Sequence, residues 1–316
     1  MNRIPLNALT LYADLDQSID DIAPATISRR LEGGQRRLYA SIREGVRLRQ
    51  VYLGTVGDPK ADAKAQAHSD AMERGRQRRR TVSALKRLGI PAPPLDVGRI
   101  LDALARAGIF EAGGVVVGTA AYQCYPCIVG HVLPGASLMT RDVDLSLARI
   151  AVPRLSAVQR PLEDILREAD PSFAANMRGE KAPKNFRNRA GFSVDVLTTP
   201  GRRPDLVLIK GLGAYAIPLP FMDFLIDDAI RVTALYGRGI PIVVPAPARF
   251  AIHKLVIARR RTTQRQKSPK DAAQAAALIK ALSAYDPESL RETLRAAKRR
   301  GGDLKDAAVQ IETQMP

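Results

Sequence analysis

The chain has no tryptophan, 5% aromatic residues and two cysteines in 316 residues. Leu, Ile, Val and Ala must therefore fill its interior, and a hydrophobic content of 46% suffices for a real core. No apolar run reaches the roughly 18 residues that a membrane-spanning helix needs, so no transmembrane segment and no membrane partner are expected. The stretch Met1 to Thr10 lacks the long apolar core of a secretory signal, and acidic residues follow at once, so the expected location is cytoplasmic. Acidic charge is in deficit as well. Forty-nine Lys and Arg stand against 32 Asp and Glu, a formal charge of +17. That bias favours a polyanionic partner, because phosphates are bound chiefly by Lys and Arg, although a basic surface that only supports solubility has the same composition.

The two cysteines, Cys124 and Cys127, form Cys-Tyr-Pro-Cys, the spacing of a thioredoxin-type redox pair. Structural zinc needs four ligands, and His131 alone lies near. The segment from Gly118 to Gly130 also reads as a helix after a Gly-Thr turn, with both thiols on one apolar face. Free cysteine is most often a small buried hydrophobe, and that is the expectation here.

A length of 316 residues allows about two domains at roughly one per 100–200 residues. The pattern divides the chain at 1–94, 95–245 and 246–316. Leu6, Leu9, Leu11, Leu15 and Ile19 suggest one short helix. Arg36 to Ile42 and Val46 to Leu53 alternate polar and apolar residues around Arg43-Glu-Gly45 and read as a β-hairpin, closed by Gly54 and a Gly57-Asp-Pro59 turn. A polar, basic helix from Ala61 to about Leu88 follows, and then the linker Ile90-Pro-Ala-Pro-Pro94. Leu95 to Ala107 has helical spacing and stops at Gly108; Glu111 to Val117 ends in a short apolar strand running into Gly118-Thr119. Further on come a helical stretch around Ser156–Ala169 and a basic loop from Lys181 to Arg189. Helices are expected at Ala248–Arg261 and Pro269–Leu282, with a frayed basic tail beyond.

Two segments in the middle region carry acids inside strand patterns. Thr140-Arg-Asp-Val-Asp-Leu-Ser-Leu147 holds Asp142 and Asp144, and Gly191-Phe-Ser-Val-Asp-Val-Leu-Thr198 holds Asp195. Side chains alternate along a strand, so Asp142 and Asp144 share a face while Val143, Leu145 and Leu147 take the other. Paired carboxylates repel unless a cation lies between them, and magnesium favours such hard oxygen ligands together with phosphates and water. An isolated Asp-x-Asp is more often a solvated edge or turn. The third carboxylate, set between Val194 and Val196, favours the metal reading, because charges seldom sit among core residues without a partner.

The order strand, Gly118-Thr119, helix, Asp-x-Asp strand, Asp strand resembles the nucleotidyltransferase fold of the DNA polymerase beta superfamily over about residues 99–200. Phe250 to Arg260 and Lys270-Asp271 to Ile279 extend the likeness, resembling the helical part of type IV toxin-like and abortive-infection nucleotidyltransferases and of a bacterial group sharing the fold. The family's first motif is usually Gly-Gly or Gly-Ser where this chain has Gly-Thr, and Val129–Leu138 reads as an insertion. The resemblance implies an α+β fold: a mixed β-sheet flanked by helices, with an N-terminal hairpin/helix module and a C-terminal helical region.

It also implies a metal-dependent transfer of a nucleoside monophosphate from a nucleoside triphosphate, such as ATP, to an acceptor hydroxyl. Asp142, Asp144 and Asp195 would hold Mg²⁺ or Mn²⁺, two ions about 3.5–4 Å apart, with Asp195 helping to take the proton. Gly118 and Thr119 would meet the triphosphate at a helix N-terminus, Lys254 would neutralise phosphate, and Lys270 and Asp271 are further candidates. RNA or tRNA, reached through the basic terminal regions, is the acceptor expected first. A toxin or phage-defence role with an antitoxin partner is compatible with that chemistry. The alternative from another class is a nucleic-acid-binding protein on an inactive version of the fold.

Overall fold

The computed structural model describes residues 2–19, 24–44, 47–135, 142–147, 158–176, 183–201, 205–260 and 268–314, with 142–147 as backbone. The sequence readings at Thr140, Arg141, Ser156, Lys181 and Arg261, and the side chains of Asp142 and Asp144, lie outside the described residues. The fold is α+β. Among the described residues no helix is long and apolar enough to cross a membrane.

The N-terminal part opens with α1 (Leu6–Gln17), followed by β1 (Ala25–Glu32), β2 (Gln35–Glu44) and β3 (Arg47–Thr55) in one antiparallel sheet of order β1-β2-β3. The expected hairpin is therefore the second half of a three-stranded sheet. β1 escaped the pattern because its outward positions, Thr26, Ser28, Arg30 and Glu32, are polar and Arg29 interrupts the apolar side. Its signal was Gly33-Gly34, both at positive φ (58° and 76°), the backbone a two-residue hairpin turn demands.

Helix α2 (Pro59–Arg87) starts at Asp58, whose side chain accepts from the Lys60 amide at 3.0 Å, with Pro59 in the first turn. Its 29 residues run about 43 Å at 1.5 Å per residue. One end lays Ala61 and Ala65 under Leu38 of the small sheet. The other packs Val82 and Leu85 with Ile4, Tyr12 and Leu15. Buried Arg78 donates to the Gly239 carbonyl at 3.0 Å, fastening the helix to the main body.

Helix α3 (Leu95–Arg106) buries Val97, Ile100, Leu101 and Leu104, the i, i+3, i+4, i+7 stripe of an amphipathic helix. It ends where Gly108 takes φ 75° and the Ile109 amide reaches back to the Leu104 carbonyl. The main sheet follows. It runs β4 (Gly114–Val117), β5 (Asp142–Leu147), β8 (Ser193–Thr198), β10 (Ala214–Pro218), β9 (Val207–Ile209), with β6 (Ala174–Ala175) and β7 (Asn185–Arg187) attached at β8. Strands β5, β8 and β10 are parallel, while β4, β7 and β9 run antiparallel to their neighbours. Between β5 and β7 lies α5 (Leu162–Ala169), and between β4 and β5 the short α4 (Gly118–Tyr122).

Two expectations change here. The helix after Gly118-Thr119 is one turn long, because Pro126 cannot enter a helix interior and disfavours α geometry at Tyr125. Cys124 and Cys127 consequently lie in turns and join different apolar clusters. The basic loop from Lys181 contains β7, too short to show a period. Helix α6 (Met222–Ile226) and the hairpin β11 (Ile230–Ala234), β12 (Ile240–Val244) complete the middle region.

Among the described residues four helices follow: α7 (Pro247–Arg260), α8 (Ser268–Tyr285), α9 (Pro287–Arg300) and α10 (Gly302–Gln314). The frayed tail expected after α8 is thus two packed helices. α9 is capped by Asp286, which accepts from the Ser289 amide at 3.1 Å, and buries Leu290, Leu294 and Ala297 while Lys298, Arg299 and Arg300 end it. Basic residues in its last turn favour the negative end of the helix dipole, so their run is no sign of disorder. Leu278, Leu294 and Ile311 share one core with Val116 and Val194 of the sheet. Each such fully buried side chain contributes about 1.5–3 kcal/mol.

Candidate active site

The site is built on the register of three strands. β5 and β8 lie side by side in parallel, with Asp142 opposite Ser193 and Asp144 opposite Asp195. Residues in register on neighbouring strands occupy the same face, so positions 142, 144 and 195 share one face of the sheet. Along β8 the burial alternates accordingly: Val194 and Val196 are fully buried on the other face, while Ser193 and Asp195 are half-exposed. Adjacent strands are about 4.8 Å apart, a spacing at which carboxylates from positions 144 and 195 fit one divalent ion between them. Among residues with described side chains no cluster of three metal-ligating groups occurs, Asp142 and Asp144 lying outside that set.

Asp195 is held from its other side. Asn185 of β7 is its cross-strand partner, and Asn185 Nδ2 donates to Asp195 Oδ1 at 2.5 Å. This contact was absent from the sequence reading. A polar-apolar-polar triplet, Asn185-Phe-Arg187, ahead of the Asn188-Arg-Ala-Gly191 turn was the available signal. That turn is built tightly: Asn188 accepts from the Phe192 amide at 2.9 Å and donates to Asp170 Oδ2 at 2.7 Å, so β7 is delivered against β8 in fixed register.

Gly118 and Thr119 stand beside the acids. Val117, the last residue of β4, pairs with Asp144, so the turn that follows passes the same end of β5, and α4 packs on that strand. Gly118 takes φ 71°, a left-handed conformation that a side chain would strain. Because α4 has five residues, its dipole is slight, and what Gly118-Thr119 offers an anion is close backbone and a hydroxyl.

α7 reaches the same neighbourhood through aromatic contacts. Phe250 stacks on Tyr122 of α4 at 6.1 Å between centroids and meets Tyr125 edge-on at 5.3 Å. Tyr125 donates to the Pro245 carbonyl at 2.9 Å, and burial pushes the Tyr122 hydroxyl up to about 12. Lys254, one turn after Phe250, lies over its ring at 5.3 Å. Its ammonium pairs with Asp271 Oδ1 at 2.7 Å, the two side chains 13% and 5% exposed. Lys254 and Asp271 therefore belong together, and Lys270 precedes Asp271 in the first turn of α8, half-exposed. His253 is buried with its pKa lowered to about 4, by desolvation first and by the Lys254 charge second. His131 is buried too and contacts the Val129 carbonyl at 2.8 Å.

The cysteines offer no reactive thiolate. Both are free and buried, and burial pushes each thiol up to about 12, with the Cys127 charge adding to the effect at Cys124.

A family profile described as Nucleotidyltransferase matches residues 95–298, from the first residue of α3 into α9. No curated protein matches the chain. Among solved structures, an antigenic nucleotidyltransferase-like protein from Paracoccidioides brasiliensis aligns at a TM-score of 0.36 and 16% identity, over 69% of this chain and 94% of that one.

Proposed function

The chain belongs to the nucleotidyltransferase family, and from that premise we propose that it transfers a nucleoside monophosphate from a nucleoside triphosphate to an acceptor hydroxyl, with RNA, tRNA included, as the acceptor. The observation that carries the reading is the pairing of Asp144 with Asp195 on adjoining parallel strands, with Asp142 two residues away on the same face. Mg²⁺ or Mn²⁺, held there as two ions, would supply charge neutralisation for the phosphates and the leaving pyrophosphate. Asp142, Asp144 and Asp195 are the residues that would hold the metal.

The rest of the chain's part is positioning. Asn185 orients the Asp195 carboxylate, which would help to take the acceptor proton. Gly118 allows backbone to approach the triphosphate without a Cβ in the way, and the Thr119 hydroxyl is a donor beside it. Lys254, steered by Asp271 and the Phe250 ring, adds positive charge from the α7 side, and Lys270 lies at the same helix start.

The test is incubation of the protein with labelled nucleoside triphosphates, Mg²⁺ or Mn²⁺ and total RNA. Wild type is expected to label RNA, and Asp144→Asn and Asp195→Asn to lose labelling while remaining folded. RNA binding by wild type and by Asp195→Asn alike, without transfer under any nucleotide and metal pairing, would instead mark a binding protein on an inactive fold.

A further inference from the structure

The small N-terminal sheet has two unlike faces. One packs on α2 through Leu38, Ala40 and Ile42 of β2 with Ile27, Val51 and Leu53. On the opposite face the cross-strand register places Tyr39 of β2 directly against Tyr52 of β3, centroids 5.4 Å apart and rings tilted by 50°. Tyr52 remains 51% exposed although aromatic side chains are scarce in this chain. Arg30 lies over the Tyr39 ring at 5.3 Å and Arg37 over the Tyr52 ring at 5.9 Å, and these two arginines are themselves cross-strand partners. Tyr39 donates to Glu32 Oε2 at 2.8 Å, which fixes the ring from its hydroxyl end.

The charge of this sheet is predominantly positive, with Glu32 paired to Arg37 at 3.1 Å. β1 carries two arginines, β2 three and β3 two, against one glutamate in β1 and one in β2. An exposed Tyr52 ring beside a half-buried Tyr39 ring, interleaved with guanidinium groups, matches one partner chemistry. Unpaired bases stack on the rings while the phosphodiester backbone meets the arginines. Ser41 and Gln50 border the tyrosines on the same face, with Gln50 Nε2 donating to Ser41 Oγ at 3.3 Å. Hydroxyl and amide groups in that place suit a ribose 2′-hydroxyl, which deoxyribose lacks.

We propose that the Tyr39–Tyr52 face of the N-terminal sheet is a docking surface for single-stranded RNA, with bases stacked on the two tyrosines and phosphates on Arg30 and Arg37. It deepens the reading above by naming where the RNA acceptor is held, and rests on that reading only for what becomes of the bound strand. A duplex is a poor fit, because its bases are already stacked and its edges, not its faces, are on offer.

The experiment is fluorescence anisotropy on the full chain with a labelled, unstructured 12-nucleotide RNA, in the absence of nucleotide and divalent cation. Tyr52→Leu is expected to weaken binding about tenfold with an unchanged salt slope, and Tyr52→Phe to bind as wild type does. Arg30→Gln and Arg37→Gln should each lower the slope of log K against log salt by about one. As a second readout, RNA carrying 4-thiouridine should photocrosslink to wild-type β2 and β3. Unchanged binding by Tyr52→Leu, equal affinity for duplex RNA or for DNA of the same sequence, or crosslinks confined elsewhere would each overturn the proposal. Asp195→Asn should bind as wild type, so a failed surface and a failed transfer site give different results.

Discussion

Lys254 and Asp271 form a largely buried ion pair, 2.7 Å from Nζ to Oδ1, that joins α7 to α8. Removing one member of such a pair strands the other's charge in a desolvated place, which costs about 3–5 kcal/mol, whereas replacing both by apolar groups is often neutral. Asp271→Leu and Lys254→Met should each lower the urea midpoint markedly, and the double substitution should recover most of it. If the lysine also serves the triphosphate, the double variant regains stability but keeps a raised KM for nucleotide. Recovery of both would reduce the pair to a structural fastener.

Asn185 offers a sharper probe of the metal reading than the aspartates do. It lies behind Asp195 on β7 and donates to one carboxylate oxygen. Removing a group that orients a metal ligand typically costs about 10–100-fold in metal affinity or activity. Asn185→Ala should therefore require about 10–100-fold more Mn²⁺ for half-maximal transfer, while the KM for nucleotide at saturating metal stays near wild type. A change confined to nucleotide KM would move Asn185 out of this role.

Much of the framework was legible because it is periodic. The alternation around Asp142 and Asp144 within 140–147, and again around Asp195 within 191–198, marked the strands found at 142–147 and 193–198, and the apolar stripe of α3 marked its helix. The register that sets Asp144 beside Asp195 was not legible, since pairing of strands some fifty residues apart leaves no local trace. β7 was hidden for a different reason. Three residues show no period, and its Asn185 resembled one more polar residue in a basic loop. Lys254 and Asp271 were each visible as charges on apolar helices, but their meeting depends on how α7 packs on α8. α9 was obscured by charge: its basic residues dominate its composition while Leu290 and Leu294 make the core, and α10, with Lys305 alone among three acids, buries Leu304 and Ile311.

The Cys-Tyr-Pro-Cys segment has a testable inertness. With both thiols buried and pushed up to about 12, the thiolate fraction at neutral pH is negligible. Native protein should release almost no colour with a thiol-specific disulfide reagent at pH 8, and both thiols should react at once in denaturant. Rapid labelling of the native protein would mark an accessible, redox-competent pair.

His253 makes the fold sensitive to mild acid. Its ring hydrogen-bonds the Pro220 backbone, and Nε2 has no hydrogen-bond partner among the described residues. Burial and the neighbouring Lys254 charge lower its pKa to about 4, Asp271 opposing weakly, against about 6.5 in the unfolded chain. The unfolded state therefore takes up a proton that the folded state refuses. This stabilising contribution is fully present above pH 6.5, declines as pH falls, and is spent near pH 4, where roughly 3 kcal/mol has gone. Other titrating groups add their own slope, so the measurement is a difference. His253→Asn keeps a donor within reach of the Pro220 carbonyl and cannot titrate. Between pH 7 and 4.5 wild type should lose about 2–3 kcal/mol more than the variant in urea unfolding, and parallel curves would place the His253 proton elsewhere.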